Sequence, residues 1–329
     1  MTEIITSAPG KVVVCGEYAV LQGAPAVAMA VNRRATVSIR QTEGSWNTVT
    51  TPGYMDDESR FVVTRDDGFR WDGTASLSLL EKVWRRFPVD QEHAFHITLD
   101  TREFRDPDSG IKYGLGSSAA LAVALSRALT RVSGRAPAAE QFAMEAHHEF
   151  QGGSGSGVDV ATSCRGGLIA YRISGQRQHL AWPDGVEYAV LWSGRAASTK
   201  RRIERFAATE SRGDTLALCM AAAAVLDSWP DRKQVLHAMH EYVLELRRFS
   251  SERELGIFDA GHAELTEMAD GHRVIYKPCG AGGGDVGIAM AQDPGTLRTF
   301  VESAVATGFR QLDAVIDTSG VRDEDRESK

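Results

Sequence analysis

Three short segments of the chain gather residues suited to holding phosphate. The first runs Ala8-Pro9-Gly10-Lys11 and continues to Gly16-Glu17-Tyr18. The second is Gly114-Leu115-Gly116-Ser117-Ser118-Ala119-Ala120. The third runs from Lys277 to Asp285 and holds Gly280, Gly282, Gly283 and Gly284. Taken singly, each reads as a tight turn; the third has more glycine than a turn needs, which brings bare backbone close to a ligand or another loop. The second has the strongest physical case. Leu121, Leu125, Leu129 and Val132 fall four, four and three apart, so a buried helix face begins near Ser117. N–H groups at a helix start are unpaired and the macrodipole there is positive, which suits an anion. Ser117 and Ser118 add hydroxyls for phosphate oxygen or Mg²⁺, and Lys112 lies just upstream.

Two other phosphate motifs are excluded. A Walker A loop needs Gly-Lys followed by Ser or Thr, and Gly10-Lys11 is followed by Val12. The spacing of Gly114 to Ala119 formally matches a dinucleotide fingerprint. The preceding strand, however, ends near Asp100, about a dozen residues too early, and two helices follow where a strand should come. A fourth segment, Gly155-Ser156-Gly157-Val158-Asp159, offers a carboxylate after glycines, which alone reads as a helix N-cap. Upstream, His147 and Gln151 share one helix face, and Glu145 and Glu149 a neighbouring one. Arg195, Lys200, Arg201, Arg202 and Arg205 place five cations within eleven residues of a chain whose net charge is −7. Ser198 and Thr199 supply an N-cap there, so donors and cations converge; a solvated helix face is the alternative.

These segments need a scaffold of two α+β lobes, expected at 1–180 and 181–322 with a charged, disordered tail at 323–329. In the first lobe, strands are predicted at Ile4–Thr6, Lys11–Cys15, Ala35–Arg40, Ala94–Asp100 and Gly167–Ile173. Helices are predicted over about 75–87 and 117–133, and another opens at Pro137. The second lobe starts with a strand at Glu187–Trp192. Helices follow over 199–212, 215–228, 232–249, 254–269 and 296–306, with strands near 273–276, 287–291 and 312–316. Hydrophobic residues are 43% and charged residues 25%, an ordinary globular balance. No window is apolar enough for a membrane helix, and the N-terminus lacks a signal-peptide pattern. The four separated cysteines indicate reduced thiols and, with the missing leader, a cytoplasmic protein. The acidic balance argues against a nucleic-acid binder.

Together, the order and spacing of APGK, GLGSSAA and KPCGAGGGD resemble the three motifs of the GHMP kinases over about 290 residues. The resemblance implies a two-lobed GHMP kinase-like fold with a mixed α/β nucleotide lobe and a ferredoxin-like C-terminal lobe. It implies ATP as co-substrate and Mg²⁺ as cofactor. Lys11 and Asp159 would be the catalytic pair. Lys112, Gly114, Leu115, Gly116, Ser117, Ser118 and Ala119 would hold ATP, and Ser118 and Glu149 the metal. Glu17, Tyr18, His147, Gln151, Ser156, Ser198, Thr199, Lys200, Arg201, Gly282, Gly283 and Asp285 would face the acceptor. Within the family, KYGLGSSAA, GSGVDVA and KPCGAGGGD are most similar to the members acting on 5-phosphomevalonate, which makes that phosphate the expected acceptor. Phosphorylation of mevalonate or another alcohol, and a non-catalytic sensor, are the competing readings. A monomer or homodimer is expected.

Overall fold

The computed structural model describes residues 3–64, 68–72, 77–87, 93–134, 139–197, 199–208 and 215–324, without the side chains of Asp56, Thr199, Lys200, Arg201 and Ile203. Pro137, Ser198 and residues 325–329 lie outside the described residues.

The first lobe is built on a long antiparallel hairpin, β1 (Ile4–Cys15) and β2 (Ala26–Thr42). From Ala35 to Ile39, apolar and polar residues of β2 alternate and the apolar ones are buried, as a one-sided strand requires. The earlier stretch Ala26–Val31 is buried throughout. It carries no alternation, which is why the sequence reading starts this strand nine residues late. Strands β3 (Asn47–Thr51), β4 (Met55–Thr64) and β5 (Gly68–Asp72) extend the sheet. Helix α1 (Ser78–Trp84) follows, and β6 (Ala94–Asp100) enters between β2 and β3, antiparallel to the first and parallel to the second.

Helices α2 (Ser117–Ser133), α3 (Ala139–Phe150) and α4 (Val158–Arg165) complete the layer over this sheet. Ala119, Ala120, Ala122, Ala124 and Ala128 of α2 are all buried, and their small side chains let the helix lie close to β1 and β2. Strand β7 (Leu168–Tyr171) pairs with β2 and with β8 (Arg177–Leu180), which ends at the expected boundary between the lobes.

The second lobe holds β9 (Glu187–Trp192), α5 (Thr199–Ala208), α6 (Leu216–Asp227), α7 (Arg232–Glu252), α8 (His262–His272), β10 (Ile275–Pro278), β11 (Val286–Ala291), α9 (Pro294–Ala306) and β12 (Arg310–Leu312). Its antiparallel sheet runs β10-β11-β9-β12, the ferredoxin-like order. Helix α8 starts eight residues later than the periodicity predicts. Glu254, Gly256, Ala260 and Gly261 all take positive φ, so the backbone turns there instead of coiling.

The chain end returns to the first lobe. Val31 bridges Ile316, and β13 (Arg322–Asp323) pairs with Thr6 and Ser7 of β1. Asp323, expected at the start of a disordered tail, is ion-paired with Arg127 and Arg131. One apolar core runs through both lobes, joining Val12 and Met29 to Trp192, Tyr242 and Ile288. No helix among the described residues is long and apolar enough to cross a membrane.

Candidate active site

The first and second glycine segments are tied by the backbone: the Lys11 N–H donates to the Leu115 carbonyl at 2.8 Å. Gly114 and Gly116 hold φ of +84° and +79°. Both absences of a side chain are used. A Cβ on Gly114 would lie 2.2 Å from the Asp285 Cγ, and one on Gly116 3.1 Å from the Lys11 Cε. Helix α2 therefore starts from a left-handed Gly116 with no side chain capping it. The amides of its first turn are left to a ligand. The Ser118 hydroxyl is held by the His147 Nε2 at 3.0 Å.

That helix start opens on a cavity of about 300 Å³ between the lobes. Of the residues expected to do chemistry, Lys11, Glu17, Tyr18, Lys112, Gly114, Gly116, Ser117, Ser118, Gln151, Ser156, Asp159 and Asp285 line it. Asp159 sits in the first turn of α4, after Gly157 at φ +77°, and accepts the Val160 N–H at 3.0 Å. The Ser156 carbonyl is fixed by the Tyr171 hydroxyl at 2.6 Å. Among the described residues Lys11 and Asp159 make no ion pair, although they share the cavity wall. Asp285 takes a φ of +57° and accepts the Ala197 N–H at 2.9 Å. Burial pushes its carboxyl pKa up, against the lowering pull of that N–H and of Lys11, Arg202 and Lys112.

Glu17 is buried beneath the cavity in a network that residue spacing could not reveal. Its carboxylate is ion-paired with Lys277, which is fully buried, and accepts from the Tyr242 hydroxyl at 2.8 Å and the Gly280 N–H at 3.3 Å. Desolvation opposes the Lys277 charge, but Cys279 and Glu17 outweigh it and raise its pKa. The Gly16 N–H donates to the Tyr242 hydroxyl at 3.0 Å, so α7 holds the first glycine segment, while Glu17 ties that segment to Lys277 and Gly280 of the third. The Tyr18 hydroxyl donates to the Ala281 carbonyl at 2.8 Å, adding a second tie.

Other expected site residues fall elsewhere. Leu115 and Ala119 are in the core, and His147 is buried behind Ser118. Gly283 donates to the Ile257 carbonyl, and Gly282 also packs against Ile257. Glu149, assigned to metal, does not line the cavity: it is half exposed and paired with Lys82 and Arg86. Its helix turns it outward, because it lies two residues from the inward-facing His147. Ser198 lies outside the described residues; Thr199, Lys200 and Arg201 form the first turn of α5, their side chains not described. Among the described side chains of that cluster, Arg202 turns inward: its guanidinium lies against Gly283 and donates to its carbonyl at 3.4 Å. The sequence reading did not single it out. Nor did it find His262, whose Nε2 meets the Gly284 carbonyl at 3.1 Å and whose Nδ1 meets the Tyr276 hydroxyl at 2.8 Å. Lys277 alone carried a signal, as the one charge opening the third segment.

Residues 77–167 match the family described as GHMP kinases N terminal domain. A phosphomevalonate kinase of Streptomyces sp. (strain CL190) is 31% identical over 336 residues, covering 87% of this chain and 89% of that one. A mevalonate kinase of Methanothermobacter thermautotrophicus is 32% identical over 166 residues, about half of each chain. The structure of Streptococcus pneumoniae phosphomevalonate kinase in complex with phosphomevalonate and AMPPNP superposes with a TM-score of 0.75 at 16% identity over 96% of this chain and all of that one. With near-full-length identity above 30% and the fold in agreement, the chain belongs to the GHMP kinases.

Proposed function

We propose that the protein transfers the γ-phosphoryl group of ATP to the phosphate of 5-phosphomevalonate, giving 5-diphosphomevalonate in the mevalonate route to isoprenoids. The observation that carries the kinase chemistry is the uncapped start of α2, facing one cavity with Lys11 and Asp159. The choice of acceptor is supported by the near-full-length similarity to the Streptomyces phosphomevalonate kinase. An acceptor phosphate monoester has a second pKa near ~6, so it is largely dianionic at neutral pH and needs little base catalysis. The difficulty is bringing two anions together, which calls for alignment and neutralisation of charge.

In this reading, the N–H groups of Ser117 and Ser118 hold the transferred phosphoryl group, and Lys11 offsets the charge that builds up on it. Asp159 orients Lys11 across the cavity once phosphate lies between them. Magnesium fits the hard oxygens present: the Asp159 carboxylate and the Ser118 hydroxyl line the cavity, and Mg²⁺ usually takes one or two carboxylates plus substrate phosphates. When bound, it would neutralise phosphate charge. The Glu17 carboxylate is committed to Lys277 and Tyr242, leaving it to shape the floor. A coupled ADP-release assay across 5-phosphomevalonate, mevalonate, galactose and homoserine tests the reading. Turnover is expected with 5-phosphomevalonate; a higher kcat/KM for mevalonate would replace it with phosphorylation of an alcohol.

A further inference from the structure

A second cavity, of about 550 Å³, opens on the opposite face of the first-lobe sheet. Thr6 of β1 points to α2, donating to the Ala124 carbonyl, so its neighbour Ser7 points away. Thr36, opposite Ser7, and Asp100, opposite Thr36, share that outer face and line the cavity. The walls also carry Arg33, Arg34, Arg102 and Arg105, together with Glu103, whose carboxylate accepts the Arg34 backbone N–H at 2.8 Å. Two of these guanidiniums are already matched: Arg34 by Asp317, and Arg102 by Asp100.

The other two are not. The β1–β2 register shifts between Pro9 and Gly10, leaving Arg33 in a bulge that re-aims its side chain. Among the described residues Arg33 makes no hydrogen bond or ion pair, yet its Nε is buried. Arg105 donates to the Gly110 carbonyl and covers the Tyr54 ring, but its Nε is also buried without a partner. Two guanidiniums that line one cavity and have no carboxylate partner among the described residues leave positive charge there that suits an anion. Tyr113, largely buried against Trp192, also borders the cavity.

We infer that this cavity is a second anion site, separate from the catalytic cavity, which takes the phosphate or diphosphate group of a small molecule between Arg33 and Arg105. Planar guanidiniums present paired N–H donors to phosphate oxygens, a geometry that a lysine cluster lacks. The site shares a wall with the catalytic cavity: Tyr113 lines one, and its neighbours Lys112 and Gly114 line the other. Burial and the nearby Arg105 charge both lower the Lys112 pKa. An anion beside Arg105 would screen that repulsion and favour charged Lys112 in the catalytic site.

Isothermal titration with inorganic pyrophosphate tests this on the full chain, with excess magnesium, AMPPNP and 5-phosphomevalonate keeping the catalytic cavity filled. One site is expected to remain, weakened about tenfold or more in Arg33→Ala and in Arg105→Ala, the scale of a lost charge-assisted hydrogen bond. Arg33→Lys should recover part of the affinity, and Arg33→Ala should keep basal turnover and Tm. Competition by ADP would identify a nucleotide phosphate as the occupant; displacement by pyrophosphate alone would identify a nucleoside-free diphosphate. Loss of all binding once the catalytic cavity is filled, or unchanged binding in the Arg33→Ala/Arg105→Ala double variant, would overturn the assignment. The measurement needs no turnover, so it stands apart from the identity of the acceptor.

Discussion

Lys11 is anchored through its backbone to Leu115, while its side chain lies over Gly116 and near Asp285 and Gly280. Among the described residues its side chain makes no hydrogen bond or ion pair, so a change of side chain separates chemistry from folding. Lys11→Met is expected to lower kcat by roughly 10²–10⁴-fold, the scale of losing one transition-state donor, with Tm preserved. Near-normal turnover in that variant would remove Lys11 from the mechanism. Lys277 is the opposite case, a cation with no exposure that serves Glu17. Lys277→Met leaves a buried carboxylate uncompensated and should cost about 3–5 kcal/mol of stability in urea unfolding. Adding Glu17→Gln should recover part of that loss; additive losses would show that the two do not act as a pair. Lys11 was legible because its neighbours Gly10, Gly16 and Glu17 are close in sequence. The Lys277–Glu17 partnership was not, because only the fold brings residues 260 positions apart into contact.

At the level of elements, the two glycine-rich turns at the cavity interlock. Gly114 has no Cβ because Asp285 occupies the space, and Asp285 takes a left-handed backbone at the end of the third glycine segment. Gly114→Ala should therefore displace the third segment and the α2 start together, raising KM for ATP and lowering kcat. Asp285→Gly removes the obstructing Cβ and carboxylate. In the double variant the clash is gone and ~1–2 kcal/mol of left-handed strain at residue 114 remains. The double variant is expected to be more stable than Gly114→Ala alone. If the two substitutions destabilise additively in urea unfolding, the loops are not coupled as described. The start and buried face of α2 were legible from helical spacing and glycine placement, and the start of α4 from the glycines before Asp159. The path of residues 254–261 was not, since its apolar pattern fits a helix and the positive φ values at Glu254 and Ala260 leave no residue-type signature.

Across the whole molecule, His262 links the apolar core of the second lobe to the active-site loop. The Gly284 carbonyl can only accept, so the His262 Nε2 carries the proton and donates to it; Nδ1 then accepts from the Tyr276 hydroxyl. This tautomer is neutral, and burial lowers the histidine pKa from 6.5 to about 4. A histidine in the unfolded chain binds its proton near pH ~6.5. Between that pH and about 4 the unfolded chain holds a proton that the folded one does not. The stabilising contribution of His262 is therefore complete above pH ~6.5 and is lost progressively as pH falls toward 4, by about 3 kcal/mol in all. Urea unfolding of the full chain from pH 7.5 to 4.5 should show this as a stability that declines with acid. His262→Gln, which keeps an amide donor and acceptor but cannot titrate, should be less stable at neutral pH and lose less on acidification. A decline of equal slope in the two proteins would place the acid sensitivity elsewhere. Because the Gly284 contact adjoins Asp285, KM for the substrates should worsen over the same pH range before the fold is lost, and the His262→Gln protein should show a flatter KM profile.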